Sequence, residues 1–159
     1  MYDSFLLFYL EFIQEQGRTE GFWSSYAQSP AHSAWSGYAF EIVCLHHLEQ
    51  IRFKLGISGV ITNPCSWRST QKKGGAQIDL ILDRNDNIVN LIEMKYIKEE
   101  YSISDAYAKQ LENRIAMFMH ETKTKKTPHL NFITVNGLYR NQNYNLVSSE
   151  ILADDLFKL

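Results

Sequence analysis

Hydrophobic and polar positions alternate most clearly over residues 76–96, the segment AQIDLILDRNDNIVNLIEMKY. Two apolar runs flank the polar stretch Arg84-Asn85-Asp86-Asn87, a pattern that predicts a β-hairpin with its turn centred on Asp86. In that register Asp79 and Glu93 become direct cross-strand neighbours. The hairpin therefore carries two carboxylates side by side.

Side chains of a strand alternate between its two faces. Asp79 and Ile81 are therefore expected on one face and Ile78 on the other, while Glu93 and Lys95 share a face of the return strand. Directly opposed side chains have Cβ atoms about 4.5 to 5.5 Å apart, and like charges there repel. A shared divalent cation would relieve that repulsion.

Helical periodicity of 3.6 residues appears in two longer segments. The first predicts a helix over about 34–55 that stops before Gly56, and the second predicts a helix from a Ser-x-x-Asp start at Ser102 to about residue 121. The predicted buried stripes are Tyr38, Ile42, Leu45 and Leu48 in the first helix, and Ala108, Leu111, Ile115 and Phe118 in the second.

Shorter apolar runs complete the expected order of elements. They predict strands at 57–62, 130–135 and 144–147, a turn at Pro64 with a polar loop after it, and a short terminal helix at 150–157. Strands that are both adjacent and separated by a helix indicate an α/β fold with a mixed central β-sheet flanked by helices.

The chain has 159 residues, 45% of them apolar and 13% aromatic, which is typical of one globular domain. We expect that domain over 34–159, with 1–33 as an N-terminal segment or linker. The early apolar run 5–10 is too short for a membrane span, so no membrane association is expected. Cys44 and Cys65 lack metal-ligand spacing, which favours reduced thiols and a cytoplasmic protein.

A net charge of −2 gives no overall basic surface, so contact with nucleic acid would depend on local patches. One such patch is 68–73, RSTQKK, with Arg68, Lys72 and Lys73 as nucleic-acid-binding candidates; another is 123–126, KTKK. Solvated loops are the alternative reading of both. Trp67, beside Arg68, could also contact nucleic acid, with packing in a core or interface as its alternative.

The pair Ile78-Asp79 followed by Glu93-Met94-Lys95 on paired strands resembles the active site of the PD-(D/E)XK nuclease superfamily, which implies a restriction-endonuclease-like core. Ile78 stands where that superfamily frequently has proline. The runs WSGYAFE at 35–41 and GAQIDL at 75–80 are similar to the C-terminal nuclease-like domain of certain prokaryotic P-loop ATPases. The sequence contains no Gly-x-x-x-x-Gly-Lys-Ser/Thr segment of its own.

Phosphodiester cleavage needs stabilised charge on phosphate oxygens and an activated water, and a hard cation such as Mg²⁺ or Mn²⁺ supplies both. Asp79 and Glu93 are the expected carboxylate ligands. Lys95, on the same face, would orient or deprotonate the water or clamp a phosphate, and the sequence leaves these roles open.

Three further residues are candidates mainly because of the resemblance. It implies the Met94 carbonyl as a third ligand, Glu41 on the first helix as an accessory ligand and Gln110 as a polar residue near the site. Glu41 lies within an otherwise apolar stretch, and its alternatives are a salt bridge with Arg52 or Arg114, or simple exposure at the edge of the stripe.

Metal-dependent hydrolysis of nucleic acid, DNA in the first instance, is therefore the leading expectation. The alternative is a non-catalytic, nuclease-like binding or regulatory module that serves a P-loop ATPase. The expected partners are accordingly nucleic acid, a P-loop ATPase domain or a second copy of the chain.

Overall fold

The computed structural model describes residues 4–14, 26–27, 29–70 and 75–158. Contacts within the chain divide it into two compact units, Met1–His46 and His47–Leu159, which are described separately. The domain limits expected from the sequence, 1–33 and 34–159, stay a prediction.

The first unit contains helices α1 (Ser4–Phe12) and α2 (Pro30–His46). Aromatic rings join them, because the Trp35 ring lies edge-on to Phe12, with centroids 4.9 Å apart, and to Phe8, with centroids 5.6 Å apart. Perpendicular ring pairs of this kind add to the stabilisation that burial of the rings provides.

Helix α2 begins earlier than the sequence pattern suggested, at Pro30 instead of about Ala34. The Ser29 hydroxyl accepts a hydrogen bond of 3.1 Å from the backbone N–H of His32, so Ser29 acts as the N-cap. Proline suits the next position, since its missing N–H is one of those that a helix start leaves unpaired.

The prediction of one continuous helix to residue 55 is wrong. Helix α2 ends at His46, and a separate helix α3 (Leu48–Lys54) follows His47, whose φ of −112° and ψ of 35° are not helical. Gly56, with φ of +69°, follows α3 and confirms the predicted stop.

The buried stripe of α2 also differs from the one expected. Of the predicted stripe Ile42 is buried, whereas Tyr38 is 49% exposed and Leu45 is 43% exposed. The other buried residues, Ser36, Phe40 and Cys44, follow one another at intervals of one turn. Large apolar side chains dominated the sequence pattern, but small ones let a helix approach its neighbours closely. The true stripe therefore includes a serine and a cysteine.

The second unit is built on a five-stranded sheet whose strands lie in chain order, so the expected α/β fold with a mixed sheet flanked by helices is confirmed. Strands β1, β2 and β3 are antiparallel neighbours, while β3, β4 and β5 are parallel. Helix α4 (Asp105–Thr122) connects β3 to β4. The strands are β1 (Thr62–Arg68), β2 (Gln77–Arg84), β3 (Ile88–Lys95), β4 (Thr127–Thr134) and β5 (Ser149–Leu152), with 3-10 helices at Gln142–Leu146 and Ala153–Phe157.

The hairpin of β2 and β3 has the register that the sequence predicted. Its pairs run from Asp83 opposite Val89 to Leu80 opposite Ile92, around a turn centred on Asp86. Asn87 in this turn has φ of 65°, a conformation that asparagine tolerates better than most residues. The ladder ends at Leu80 and Ile92, so Asp79 and Glu93 are the next residues beyond its last pair.

A β-bulge lies between β1 and β2, directly beside Asp79. Cys65 pairs with Ile81 while Trp67 pairs with Ile78, so two steps along β1 correspond to three along β2. Strict alternation is lost there, and Ile78 packs in the same hydrophobic cluster as Ile81. The expectation that these two isoleucines point to opposite faces is therefore wrong, because the extra residue turns the strand.

Strand β1 occupies a segment that the sequence assigned to a turn and a loop. The predicted strand at 57–62 is wrong, since β1 begins only at Thr62. Pro64 is accommodated because β1 is an edge strand, where a missing N–H costs little. Most of its side chains are exposed, which explains the absence of an apolar run.

The end of the chain also departs from the pattern. Residues 144–147, predicted as a strand, fall mainly in the 3-10 helix Gln142–Leu146. The predicted terminal helix at 150–157 is instead the last part of β5 followed by the 3-10 helix Ala153–Phe157. Strand β5 has four residues, which are too few to show the alternation of buried and exposed side chains that is typical of a strand.

Helix α4 packs on the sheet through the stripe that the sequence predicted. Ala108, Leu111 and Phe118 are buried, and Ile115 packs against the same clusters. The helix begins after Ser104, whose hydroxyl accepts a 3.3 Å hydrogen bond from the N–H of Tyr107, so the predicted cap at Ser102 is wrong. Among the described residues, no helix is both long enough and apolar enough to cross a membrane.

Candidate functional site

The ends of β2 and β3 and the polar side of α4 enclose a cleft of about 470 Å³. Asp79 and Glu93 both line it, although the strand pairing stops one residue short of a direct Asp79–Glu93 pair. Its other lining residues are Gly75, Ala76, Gln77, Gln110, Asn113, Arg114 and Met117.

Glu93 is the most highly connected carboxylate of the cleft. Its Oε1 accepts a hydrogen bond of 2.7 Å from the Tyr107 hydroxyl and lies 2.7 Å from the Lys95 ammonium nitrogen. Its Oε2 accepts a hydrogen bond from the Arg114 guanidinium. The Glu93 side chain is only 11% exposed, so these partners offset much of the cost of burying the carboxylate.

Tyr107 contacts both charged residues of the Glu-x-Lys segment. Besides its hydrogen bond to Glu93, its ring lies 5.1 Å from the Lys95 ammonium, which is within the range of a cation–π contact. Burial, and secondly the negative charge of Glu93, raise the pKa of Tyr107 well above its ordinary value. Tyr107 therefore remains a hydrogen-bond donor at neutral pH.

Asp79 is half-buried at the other side of the cleft, where Gln77 donates a hydrogen bond to its Oδ1. The side-chain amide oxygen Oε1 of Gln77 in turn accepts a 3.0 Å hydrogen bond from Arg68 Nε on β1. The side chain of Gln77 thus links Arg68 to Asp79. Arg68 is a predicted nucleic-acid-binding residue and is exposed. Lys72 and Lys73, the other two predicted residues of that patch, lie outside the described residues.

Gln110, predicted as a polar residue near the site, does line the cleft. Met94 lies in β3 between Glu93 and Lys95 and pairs with Ile133 of β4; its side chain is buried. The part of its carbonyl in holding a metal stays a prediction.

Glu41 belongs to the first unit, on α2, and is half-buried. Burial raises the pKa of the Cys44 thiol to about 12, and the charge of Glu41 contributes to this shift. The two arginines considered as its partners bind other carboxylates: Arg52 lies 2.5 Å from Glu49, and Arg114 binds Glu93. A role for Glu41 as a metal ligand stays a prediction.

Tyr107 was absent from the residues that the sequence singled out, and Arg114 appeared there only as an alternative partner of Glu41. With Gln110 they follow one another at intervals of three and four residues on α4, the spacing of neighbours on one helix surface. Gln110 and Arg114 of this stripe line the cleft, and Tyr107 reaches it through its hydrogen bond to Glu93. The helical spacing of these three residues is the feature of the sequence that could have identified them.

Asp79 and Glu93 are the carboxylates of the cleft that a cation could bind. Among the described residues no three His, Cys, Asp or Glu side chains are grouped in a way that could hold a metal. Mg²⁺ is nevertheless commonly bound by one or two carboxylates together with waters and substrate phosphates, and Asp79 and Glu93 can supply that share. Lys95 and Arg114 compete with a cation for Glu93.

No protein-family model matches this sequence, and no curated protein is significantly similar to it. Among solved structures, the crystal structure of AF1548, a protein of unknown function, is similar to the chain with a TM-score of 0.46 and 14% sequence identity. The match covers 68% of this chain and 55% of AF1548, so the chain spans little more than half the length of that protein.

Proposed function

We propose that this chain hydrolyses phosphodiester bonds of nucleic acid, DNA in the first instance, at a PD-(D/E)XK-type site that uses Mg²⁺ or Mn²⁺. The observation that carries the proposal is the convergence of Asp79 and Glu93 on one cleft, with the Lys95 ammonium 2.7 Å from Glu93. A cytoplasmic setting fits both this activity and the two free cysteines.

The residues of the cleft have complementary tasks in this proposal. Asp79 and Glu93 would hold the cation, which when bound supplies charge stabilisation to phosphate oxygens and acidifies water. Lys95 and Arg114 provide positive charge toward the phosphate, and the planar guanidinium can bind two of its oxygens. Tyr107 orients Glu93 and Lys95 at once, so the carboxylate and the ammonium keep a fixed spacing.

The direct test is cleavage of single-stranded, duplex and branched DNA by the purified chain, with Mg²⁺, with Mn²⁺ and with EDTA. We expect metal-dependent cleavage that falls at least 100-fold, as is typical of losing one acid–base or charge-stabilising group, in Asp79→Asn and Lys95→Met. Asp86→Asn is the matched control, because Asp86 lies in the turn at the opposite end of the hairpin ladder and pairs with Arg84.

Intact DNA under all metal conditions, combined with no heat of metal binding in calorimetry, would refute the proposal. Loss of activity in Asp86→Asn equal to that in Asp79→Asn would also refute it, since the effect would then not be specific to the cleft.

A second candidate function rests on a separate observation. Glu93 already has three partners, Tyr107, Lys95 and Arg114, which is the pattern expected of a structural ion network. In a nuclease-like module that binds or regulates a P-loop ATPase, the cleft would hold this ion network and no metal. In that case Asp79→Asn retains function and the wild-type chain binds no divalent metal.

A further inference from the structure

A second cavity, of about 330 Å³, lies on the α4 side of the sheet. Helix α4 contributes Arg114 and Met117 to the candidate cleft and, one turn later, Phe118 and Thr122 to this cavity. From residue 114 to residue 122 an α-helix advances about 12 Å. A bound strand that occupies the cleft can therefore also reach the cavity.

The floor of the cavity is aromatic and aliphatic. Trp67 and Phe118 meet edge to face, with ring centroids 5.5 Å apart and planes at 84°, above Ile81 and Val89. Phe118 is only 6% exposed, whereas Trp67 is half-buried. Phe118 thus supports the indole, and the indole is the aromatic surface that a ligand can contact.

The rim of the cavity is polar. Lys126 Nζ lies 2.5 Å from Asp83 Oδ1 and 2.6 Å from the carbonyl oxygen of Arg84, so it holds the Asp83 carboxylate in place. That carboxylate and the hydroxyls of Thr122 and Thr124 can accept hydrogen bonds from the amino and imino groups of a planar heterocycle.

Lys126 is the cation that lines this cavity, and two further cations are the sequence neighbours of lining residues. Arg68, next to Trp67 in β1, and Lys125, next to Lys126, are exposed. An aromatic surface with a hydrogen-bonding edge and flanking cations is the combination that recognises an unstacked base and its phosphates. An uncharged apolar ligand would not make use of the acceptors or of the cations.

We propose that this cavity binds one unstacked nucleobase of the strand whose backbone occupies the candidate cleft, with the base against Trp67 and its edge at Asp83. This inference rests on the proposed function for the choice of ligand. It deepens that function by naming the substrate class: single-stranded or locally opened nucleic acid.

Binding is tested first without cleavage. The intact, isotope-labelled chain in EDTA is titrated with 2′-deoxyadenosine 5′-monophosphate while the indole N–H resonance of Trp67 is followed by NMR. We expect a saturable shift of that resonance, and a much smaller one with 2-deoxyribose 5-phosphate, which lacks the base. No shift, or equal shifts with both compounds, would overturn the proposal.

The strand is tested next with a single-stranded oligonucleotide in EDTA. Trp67→Leu should weaken its binding about 5- to 150-fold, the range expected for loss of one stacked base, and Trp67→Phe should weaken it less. Phe53→Leu is the matched control, because Phe53 is an aromatic residue of the same unit, 59% exposed and outside the cavity. Unchanged binding in folded Trp67→Leu would overturn the proposal; if that variant does not fold, the titration of the wild-type chain decides.

The two proposals fail separately. Nucleotide binding at Trp67 without any metal-dependent cleavage would support the base-binding cavity and refute the nuclease activity. Cleavage that is unaffected by Trp67→Leu would support the nuclease activity and refute the base-binding cavity.

Discussion

The Tyr107 hydroxyl donates a 2.7 Å hydrogen bond to Glu93 Oε1, which connects helix α4 to strand β3 at a carboxylate that lines the candidate cleft. Hydrogen bonds to charged groups contribute about 1.5 to 3 kcal/mol each. Tyr107→Phe keeps the ring beside Lys95 and removes only the donor. We expect the free energy of unfolding to fall by about that amount, as measured by urea denaturation.

A double-mutant cycle with Glu93→Gln separates this bond from general damage. The two substitutions should be non-additive, since Tyr107→Phe removes the donor of this bond and Glu93→Gln replaces its charged acceptor with a neutral one. Tyr139→Phe serves as the control, because Tyr139 is 56% exposed, and it should change stability little. Strict additivity of Tyr107→Phe and Glu93→Gln would contradict the assignment.

The stability of the fold should decline in alkaline solution. Burial and the charge of Glu93 raise the pKa of Tyr107, whereas in the unfolded chain it ionises near pH 10. Above that pH the unfolded state loses a proton that the folded state keeps. The contribution of Tyr107 to the free energy of unfolding is therefore complete below about pH 10 and declines as the pH rises. Burial raises the pKa of Tyr101 in the same direction.

Urea denaturation at a series of pH values between about 8 and 11 checks this expectation, since these values bracket the ordinary tyrosine pKa. Tyr107→Phe should show a shallower decline than the wild-type chain. An equal decline in both would assign the effect to other groups.

The start of helix α4 provides a third prediction. Ser104→Ala removes the hydroxyl that accepts from the Tyr107 N–H, and loss of such a cap costs about 0.5 to 2 kcal/mol. Ser102→Ala is the matched control: the Ser102 hydroxyl accepts a 3.2 Å hydrogen bond from Asn141 in an exposed position, so its loss should cost less. Thermal unfolding of both variants decides, and a larger loss for Ser102→Ala would favour the cap that the sequence pattern predicted.

The hairpin could be predicted because its information is local. An apolar run, a polar turn and a second apolar run specify which residues face each other, and the pairing of Leu80 with Ile92 follows. The stripe of α4 was predictable for the same reason, since Ala108, Leu111 and Phe118 repeat at helical spacing. Both segments carry their periodicity within one element.

Strands β1 and β5 could not be predicted because their pairing comes from distant residues. Pro64 in β1 is tolerated only at the edge of the sheet, and β5 is held by β4 across a connection that contains a 3-10 helix. Only part of the candidate site could be predicted from the sequence, for a related reason. Asp79 and Glu93 follow from the hairpin register, whereas Tyr107 and Arg114 reach Glu93 only when α4 packs on the sheet.

The two cysteines should react with thiol reagents at very different rates. Cys65 is exposed on β1, although partial burial and the charge of Asp83 raise its pKa. Cys44 is fully buried, and burial raises its pKa to about 12. One thiol per native chain should react quickly with a chromogenic disulfide reagent at pH 8, and both should react in denaturant. Cys65→Ser should abolish the fast phase, and a fast phase that persists would show that Cys44 is accessible.

Arg114 should limit the affinity of the cleft for a divalent cation. Its guanidinium binds Glu93 Oε2, so a cation at Glu93 must share the carboxylate with it or displace it. Arg114→Met keeps a long side chain and removes the charge. We expect Mn²⁺ to bind about tenfold more tightly, a modest gain because Arg114 is 23% exposed and solvent screens the repulsion.

Calorimetric titration with Mn²⁺, without nucleic acid, measures this affinity free of any contact between Arg114 and phosphate. Arg140→Met is the matched control: it removes the same charge from a residue that contacts the Tyr144 ring outside the cleft, so the affinity should not change. Asp79→Asn should weaken binding, because it removes a ligand from the opposite side of the cleft. Weaker or unchanged Mn²⁺ binding in Arg114→Met would mean that Glu93 belongs to a structural ion network and is not a metal ligand.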